Sequence, residues 1–316
     1  MTYHFPNRSL DDYLRLVRSP GDTMVLAEGE YTSRGSGAFG DGVGLAPGVT
    51  LDVSAARIKL VDPAPTNRPW VDFPWRGAGS RVIGGDWDLG NQGGIAQSGF
   101  RAVGTAHQEG GIIRGLFGRR VASGGHPVKE VFAWHQEEGT GGTTINRLVA
   151  SPLNTEPDNY SAGIYTNDRD SVVTRCAMPL GPHGQFAFSC THPTQFVDCA
   201  GEAMRIFYTD TAGALARLLR MTGTASWAGI GFSGPAPSPR VVHAEDCQID
   251  APQARLVEFD DTLGPQDCTV ILRGGVWKGQ FRLASNSPTS RLILVGVTVE
   301  HVLDHLANGA QPPIQL

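Results

Sequence analysis

Side chains able to exchange protons with a bound molecule gather along one part of this chain. His135 is followed by Glu137 and Glu138, Asn167 and Asp168 by Arg169 and Asp170, and then come His192, Asp210, Asp260 and Asp261. Carboxylates and imidazoles held close together are the residue types of general acid/base catalysis. Asp168 is the leading catalytic candidate, with His192 or Asp210 as its partner and His135 nearby. Arg169, between two aspartates, is placed to orient or neutralise an anionic group. Glu137, Asp170, Trp134, Tyr160 and Tyr165 complete the expected ligand-binding set, since aromatic faces stack on flat or apolar ligand surfaces. The same residues have a plainer reading. Asp and Asn at strand ends tie turns through their own side chains, arginines make surface ion pairs, and tryptophans fill cores.

The elements that must position these groups are short strands. From residue 130 onward they recur in two alternating lanes. The first runs through EVFAWHQ at 130–136, AGIYTND at 162–168, QFAFSCT at 185–191, MRIFYTD at 204–210, SWAGIGF at 226–232, RLVEFDD at 255–261 and QFRLASN at 280–286. The second runs through 144–150, 171–177, 195–199, 215–221, 241–249, 269–277 and 291–299. First-lane starts after residue 162 are separated by 23, 19, 22, 29 and 25 residues. A recurrence of this length with one strand per lane is the signature of a solenoid whose coils pack only on their neighbours. A two-sheet sandwich would instead favour Asn-Gly or Asp-Gly hairpin turns between strands, and apart from Asn308-Gly309 near the end of the sequence only Asp41-Gly42 occurs.

At the start of the chain Ser9 to Arg18 reads as a helix, with Ser9 able to cap, acids in the first turn and Leu10, Tyr13, Leu14 and Val17 on one face. Ser19-Pro20-Gly21 stops it, and the segment from Pro20 to Tyr31, PGDTMVLAEGEY, gives a strand, a turn and a second strand. This helix and first turn, with the Leu45 to Val61 segment that follows, resemble the N-terminal cap and opening coils of right-handed parallel β-helix proteins of the pectin-lyase-like superfamily. The resemblance covers about 50 residues by motif and the remainder by pattern. It implies an all-β, single-stranded right-handed parallel β-helix, with a capping helix over 1–20, the solenoid over 21–307 and a loose tail over 308–316. It also implies an enzyme of the lyase, hydrolase or epimerase kind acting on carbohydrate. Neither the calcium-binding acid cluster of the lyases nor the motif series of the polygalacturonases is recognisable, so no subfamily follows. Ca²⁺ therefore stays an open possibility without identified ligands, and no cofactor is expected.

In such a solenoid, equivalent positions of successive coils stack about 4.8 Å apart. Direct stacking of Asp168, His192 and Asp210 would put the two carboxylates roughly 9–10 Å apart with the imidazole between, near the upper end of the ~6.5–9.5 Å that suits a water and a glycosidic bond. The Pro-rich insert from Ser151 to Tyr160 would roof that cleft. Paired glycines such as Gly84-Gly85 and Gly141-Gly142 read as coil corners rather than phosphate cradles, because no Lys-Ser/Thr follows them.

Composition excludes several classes. A formal net charge of -5 argues against a nucleic-acid partner. No apolar run approaches the roughly 20 residues of a membrane span. Cys176, Cys190, Cys199, Cys247 and Cys268 are odd in number with no CxxC pair, which fits free buried thiols in a reducing compartment. With no signal peptide recognisable, the expectation is a cytoplasmic protein, monomeric or homo-oligomeric, with a small-molecule or oligosaccharide substrate. Two further functional readings stand beside the first: an intracellular isomerase or cyclase of a small apolar metabolite, and a non-enzymatic, tail-fibre type binding module.

Overall fold

The computed structural model describes residues 9–33, 36–37, 44–60, 71–73, 78–89, 96–116, 131–137, 139–151, 161–211, 213–233, 239–259, 267–280, 289–300 and 314–316. The chain is an all-β parallel β-solenoid. A twelve-stranded sheet forms one wall, taking one strand from each coil from Thr23–Val25 to Ile314–Gln315. Every neighbouring pair in it is parallel, as between Ser171–Thr174 and Thr194–Val197. A seventeen-stranded sheet forms the rest and is bent into two further walls. In early coils these walls are separate strands, such as Ala177–Pro179 and Phe186–Cys190. Later, Ala200–Thr209, Thr222–Phe232 and Gln248–Phe259 run through the bend as single strands, with register shifts at Ala203/Arg205, Thr224/Ala228 and Ala251/Arg255.

The sequence reading resolved two lanes where three walls exist. The second lane ran on through a corner that carries no turn signature. At that corner one residue per coil adopts the left-handed conformation: Arg147, Arg175, Asp198, Arg220 and Asp246, with φ between 50° and 55°, continuing as Gly274 and Gly296. From Arg147 to Gly274 each donates its backbone N–H to a carbonyl one coil on, as Arg175 does to Val197. Glycine is the usual occupant of this conformation, so charged residues hid the corner.

Strand alternation fills the interior. Leu51, Val82, Gln108, Ile145, Val173, Phe196, Leu218, Ala244, Leu272 and Leu294 stand in one inward row of the first wall, and Phe100, Trp134, Ile164, Phe188, Phe207, Ile230 and Val257 in one row of the third. Their rings interlock: Trp87 meets Phe100 at 4.9 Å edge-on, and Phe196 lies 5.5 Å from Phe188 and 5.8 Å from Phe207. Burying each large apolar side chain contributes roughly 1.5–3 kcal/mol.

The N-terminal helix spans Leu10–Leu16 and buries Leu10, Tyr13 and Leu14 at the end of the stack, where Tyr13 meets Tyr31 edge-on at 5.9 Å. Ser9 makes no side-chain cap; its backbone forms a bridge with Thr32 instead, and Ser33 fixes the first turn by donating to Asp11 at 2.8 Å. The end of the expected tail is not loose, since Ile314–Gln315 pairs with Ile293 and Leu294. The expected closing helix over 299–307 falls largely outside the described residues. Among the described residues no helix is long and apolar enough to cross a membrane.

Candidate functional site

The third wall presents one continuous outward row. Cα partners run Arg101, His135, Tyr165, Ser189, Tyr208, Gly231 and Glu258, one residue from each of seven consecutive coils. Strand alternation sets this row, because the residue before each member, from Phe100 to Val257, is buried in the interior.

The rings along this wall touch one another. His135 stacks on Tyr165 with centroids 5.2 Å apart and planes at 17°. Phe132 packs on both, at 4.8 Å and 5.9 Å, and on Phe186 at 6.0 Å. Phe186 in turn stacks on Tyr208 at 5.6 Å. The Arg205 guanidinium lies 5.1 Å over the Tyr208 ring, a cation–π arrangement. Gly231 makes this possible, since a Cβ there would sit 2.7 Å from Arg205 Cδ.

Charges close the row at both ends. Arg101 pairs with Glu137 at one end. At the other, the nearly buried Glu258 carboxylate accepts from Trp227 Nε1 at 2.7 Å and from Arg205 Nε at 3.3 Å, and pairs with Arg255. Arg255 also covers the Trp227 ring at 5.2 Å, and Trp227 itself is 43% exposed.

Burial sets the protonation of the central rings. Loss of water, helped by the Arg101 charge, pulls His135 down to about 4, with Glu137 opposing. Burial first, then the Asp210 carboxylate, pushes Tyr165 up to about 12, while a hydrogen bond with Thr191 opposes. Both rings are therefore neutral at pH 7, and together they offer a phenolic proton and an imidazole lone pair.

The sequence-derived candidates divide. His135, Glu137 and Tyr165 come together on the outward row, and Asp210 is close enough to bear on the Tyr165 phenol. Asp168 is fully buried at the corner between the third and first walls. Its Oδ2 accepts from Thr143 N at 3.1 Å, Thr143 Oγ1 at 2.5 Å and Gln136 Nε2 at 3.4 Å. That is the turn-tying arrangement, with no face toward a ligand. The Asp168–His192–Asp210 stack does not form, because Asn167, Thr191 and Asp210 occupy the shared row and Asp168 lies one residue further on. Thr191 Oγ1 donates to Asn167 Oδ1 at 2.5 Å within that row. The one-residue offset turns Asp168 inward and leaves Asp210 exposed. His192 is half-buried, and Arg169 and Asp170 are exposed at the corner. Trp134 is fully buried against Phe100 and belongs to the core. Tyr160, Glu138, Asp260, Asp261, Trp70, Trp75 and the roofing residues 152–160 lie outside the described residues.

Sequence reasoning missed Arg101, Phe132, Phe186, Tyr208, Arg205, Trp227, Arg255 and Glu258. For Arg101, Tyr208, Trp227 and Glu258 the signal is parity, since they sit inside strands at outward positions; Phe132, Phe186, Arg205 and Arg255 share the parity of the inward row two residues before it, so alternation does not announce them. Among the described residues no group of three or more His, Cys, Asp or Glu is placed to hold a metal ion. No protein-family model matches the chain, and neither does any curated protein or solved structure.

Proposed function

We propose that this protein is an enzyme acting on a carbohydrate chain by general acid/base proton transfer, with the chain laid along the third wall. The observation that carries the reading is the in-register outward row from Arg101 to Glu258. A ladder of aromatic faces and fixed charges parallel to the solenoid axis suits an extended, repeating, hydroxyl-rich ligand: rings stack on its apolar faces and charges bind its oxygens. The neutral His135–Tyr165 pair, with Asp210 beside the phenol, supplies a proton donor and an acceptor within one coil spacing. Arg101 stands next to it for a developing negative charge. Lyases, hydrolases and epimerases share this requirement, and the resemblance of the first coils to the pectin-lyase-like superfamily supports a catalyst of that kind.

A panel of neutral and acidic polysaccharides tests the reading, with reducing ends and the ultraviolet absorbance of unsaturated products followed together. The expected result is turnover of one polymer class. Tyr165→Phe should then lower kcat by about 10²–10⁴ with little change in Tm. Binding without turnover would identify a non-catalytic carbohydrate module instead. Absence of both binding and turnover across the panel would remove carbohydrate from consideration.

A further inference from the structure

The first wall carries a second polar constellation on its outer surface. A cavity of about 290 Å³ lies over Arg81, His107, Gln108, Glu109 and Thr144. Thr50, Arg81, His107 and Thr144 form one outward row across four coils, and Glu109 and Asn146 stand in register two residues further along.

The groups here are unequally satisfied. Glu109 is fully engaged: Asn146 Nδ2 donates to its two oxygens at 2.9 Å and 3.0 Å, and Arg147 pairs with it as well. Thr174 donates to Asn146 Oδ1 at 2.8 Å and so fixes the amide that holds the carboxylate. His107 Nδ1 is engaged with Thr144 Oγ1 at 2.9 Å. Its Nε2 has no hydrogen-bond partner among the described residues. The Arg81 guanidinium likewise has neither a hydrogen bond nor an ion pair among them.

We propose that this cavity binds a small oxyanion, a carboxylate or a phosphate group, through Arg81 and His107 Nε2. Arg81, Arg147 and Glu109 together leave one positive charge beside the cavity, and the carboxylate that could have cancelled it is already tied by Asn146 and Arg147. A planar guanidinium donates two parallel hydrogen bonds to such an anion. If the Thr144 hydroxyl donates to Nδ1, the neutral imidazole presents Nε2–H to a further ligand oxygen. The volume sits at the lower end of the ~300–1,000 Å³ typical of small-molecule sites, which fits a compact acid rather than a polymer.

Binding is also linked to protons. The charged groups around His107 are Arg81 on one neighbouring strand, Arg147 at the end of the other, Glu109 on its own strand and Asp168 behind the corner. Burial and then Arg81 hold the imidazole below its usual value, with Asp168 opposing. An anion placed against it would favour the imidazolium, so affinity should rise as the pH falls.

The test is a titration of the full chain with inorganic phosphate and, separately, with acetate, read by calorimetry and by the His107 imidazole resonances at pH 6 and 7.5. Saturable binding is expected, tighter at the lower pH, shifting His107 and weakened at least about tenfold by Arg81→Gln. Arg217→Gln should leave it unchanged, since Arg217 is an exposed arginine of the same wall already paired with Glu245 at 3.5 Å. Binding of phosphate alone identifies a phosphate ester as the ligand class, and binding of acetate alone a carboxylic acid. Either result supports the site. No saturable binding of either anion, or equal losses in Arg81→Gln and Arg217→Gln, overturns it.

Discussion

The imidazole of His135 lies nearly flat against the phenol ring of Tyr165 one coil on, with 17° between their planes. The pairing follows from register, since the two residues are direct Cα partners on outward positions. Each ring removes water from the other, and Phe132 removes more from both. The two titrations are thereby pushed apart, so the pair keeps a single charge state from mildly acidic to strongly basic pH.

That displacement makes stability depend on pH. His135 titrates near 6.5 in an unfolded chain and at about 4 in the folded one. Its folded value is depressed, so the neutral ring's contribution is fully present above about 6.5 and is lost as pH falls toward 4. The loss is at most about 3 kcal/mol. Urea unfolding between pH 7.5 and 4 should show this decline, and His135→Phe should remove that portion of it. An unchanged pH profile in the variant would contradict the buried, neutral imidazole.

Asp168 separates corner chemistry from catalysis. Asp168→Ala strips Thr143 N–H and Oγ1–H of their acceptor inside a closed corner. A buried donor left unpaired costs about 1–3 kcal/mol. Thermal unfolding should therefore move down by several degrees, while any turnover per folded molecule stays intact. A large loss of turnover at unchanged stability would return Asp168 to the candidate catalytic set.

The residues that were hard to read share a physical cause. Strand periodicity exposed the coils because an inward residue at every second position leaves an apolar pattern. The second wall escaped because the corner leading into it takes one left-handed residue, and Arg147, Arg175, Asp198, Arg220 and Asp246 are not the residues that announce it. Side-chain direction at the other corner depends on register to a single residue. Asp168 and Asp210 look equivalent in a lane that allows a slip of one, and only backbone pairing shows that Asn167 and Asp210 correspond. His135 and Tyr165 were legible because they sit inside well-defined strands.

The thiols should be unreactive in the folded chain. All five are buried and free. Burial pushes Cys190 and Cys268 up to about 12 and Cys247 to about 11, and it raises Cys176, whose backbone N–H donates to Cys199 Sγ at 3.4 Å. Alkylation needs an accessible thiolate. Native protein at pH 8 should take up no iodoacetamide by mass spectrometry, and five equivalents after denaturation in guanidinium. Rapid labelling of any cysteine before unfolding would refute the burial.

The left-handed corner offers the sharpest test of the backbone. An L-residue in this conformation is destabilised by roughly 1–2 kcal/mol, and glycine escapes that penalty but forfeits about 0.5–1 kcal/mol in chain entropy. At Arg175 the side chain makes no hydrogen bond among the described residues, and its charge bears only on the exposed Asp198. Arg175→Gly should therefore raise stability by up to about 1 kcal/mol, while Arg175→Ala, which keeps the strain, should change little. Gly275 occupies the next position of the same corner, which Cys199, Met221 and Cys247 hold in the three preceding coils, and there the sign reverses. A Cβ on Gly275 would lie 2.1 Å from Cys247 O and 2.7 Å from Cys247 N, at a φ of +76°. Gly275→Ala cannot be accommodated without moving the backbone of the neighbouring coil, so it should lower stability well beyond the gain at Arg175. Chemical denaturation of the three variants checks all three signs at once. A stabilised Gly275→Ala, or an Arg175→Gly weaker than Arg175→Ala, would mean that the corner is not held by the left-handed backbone described.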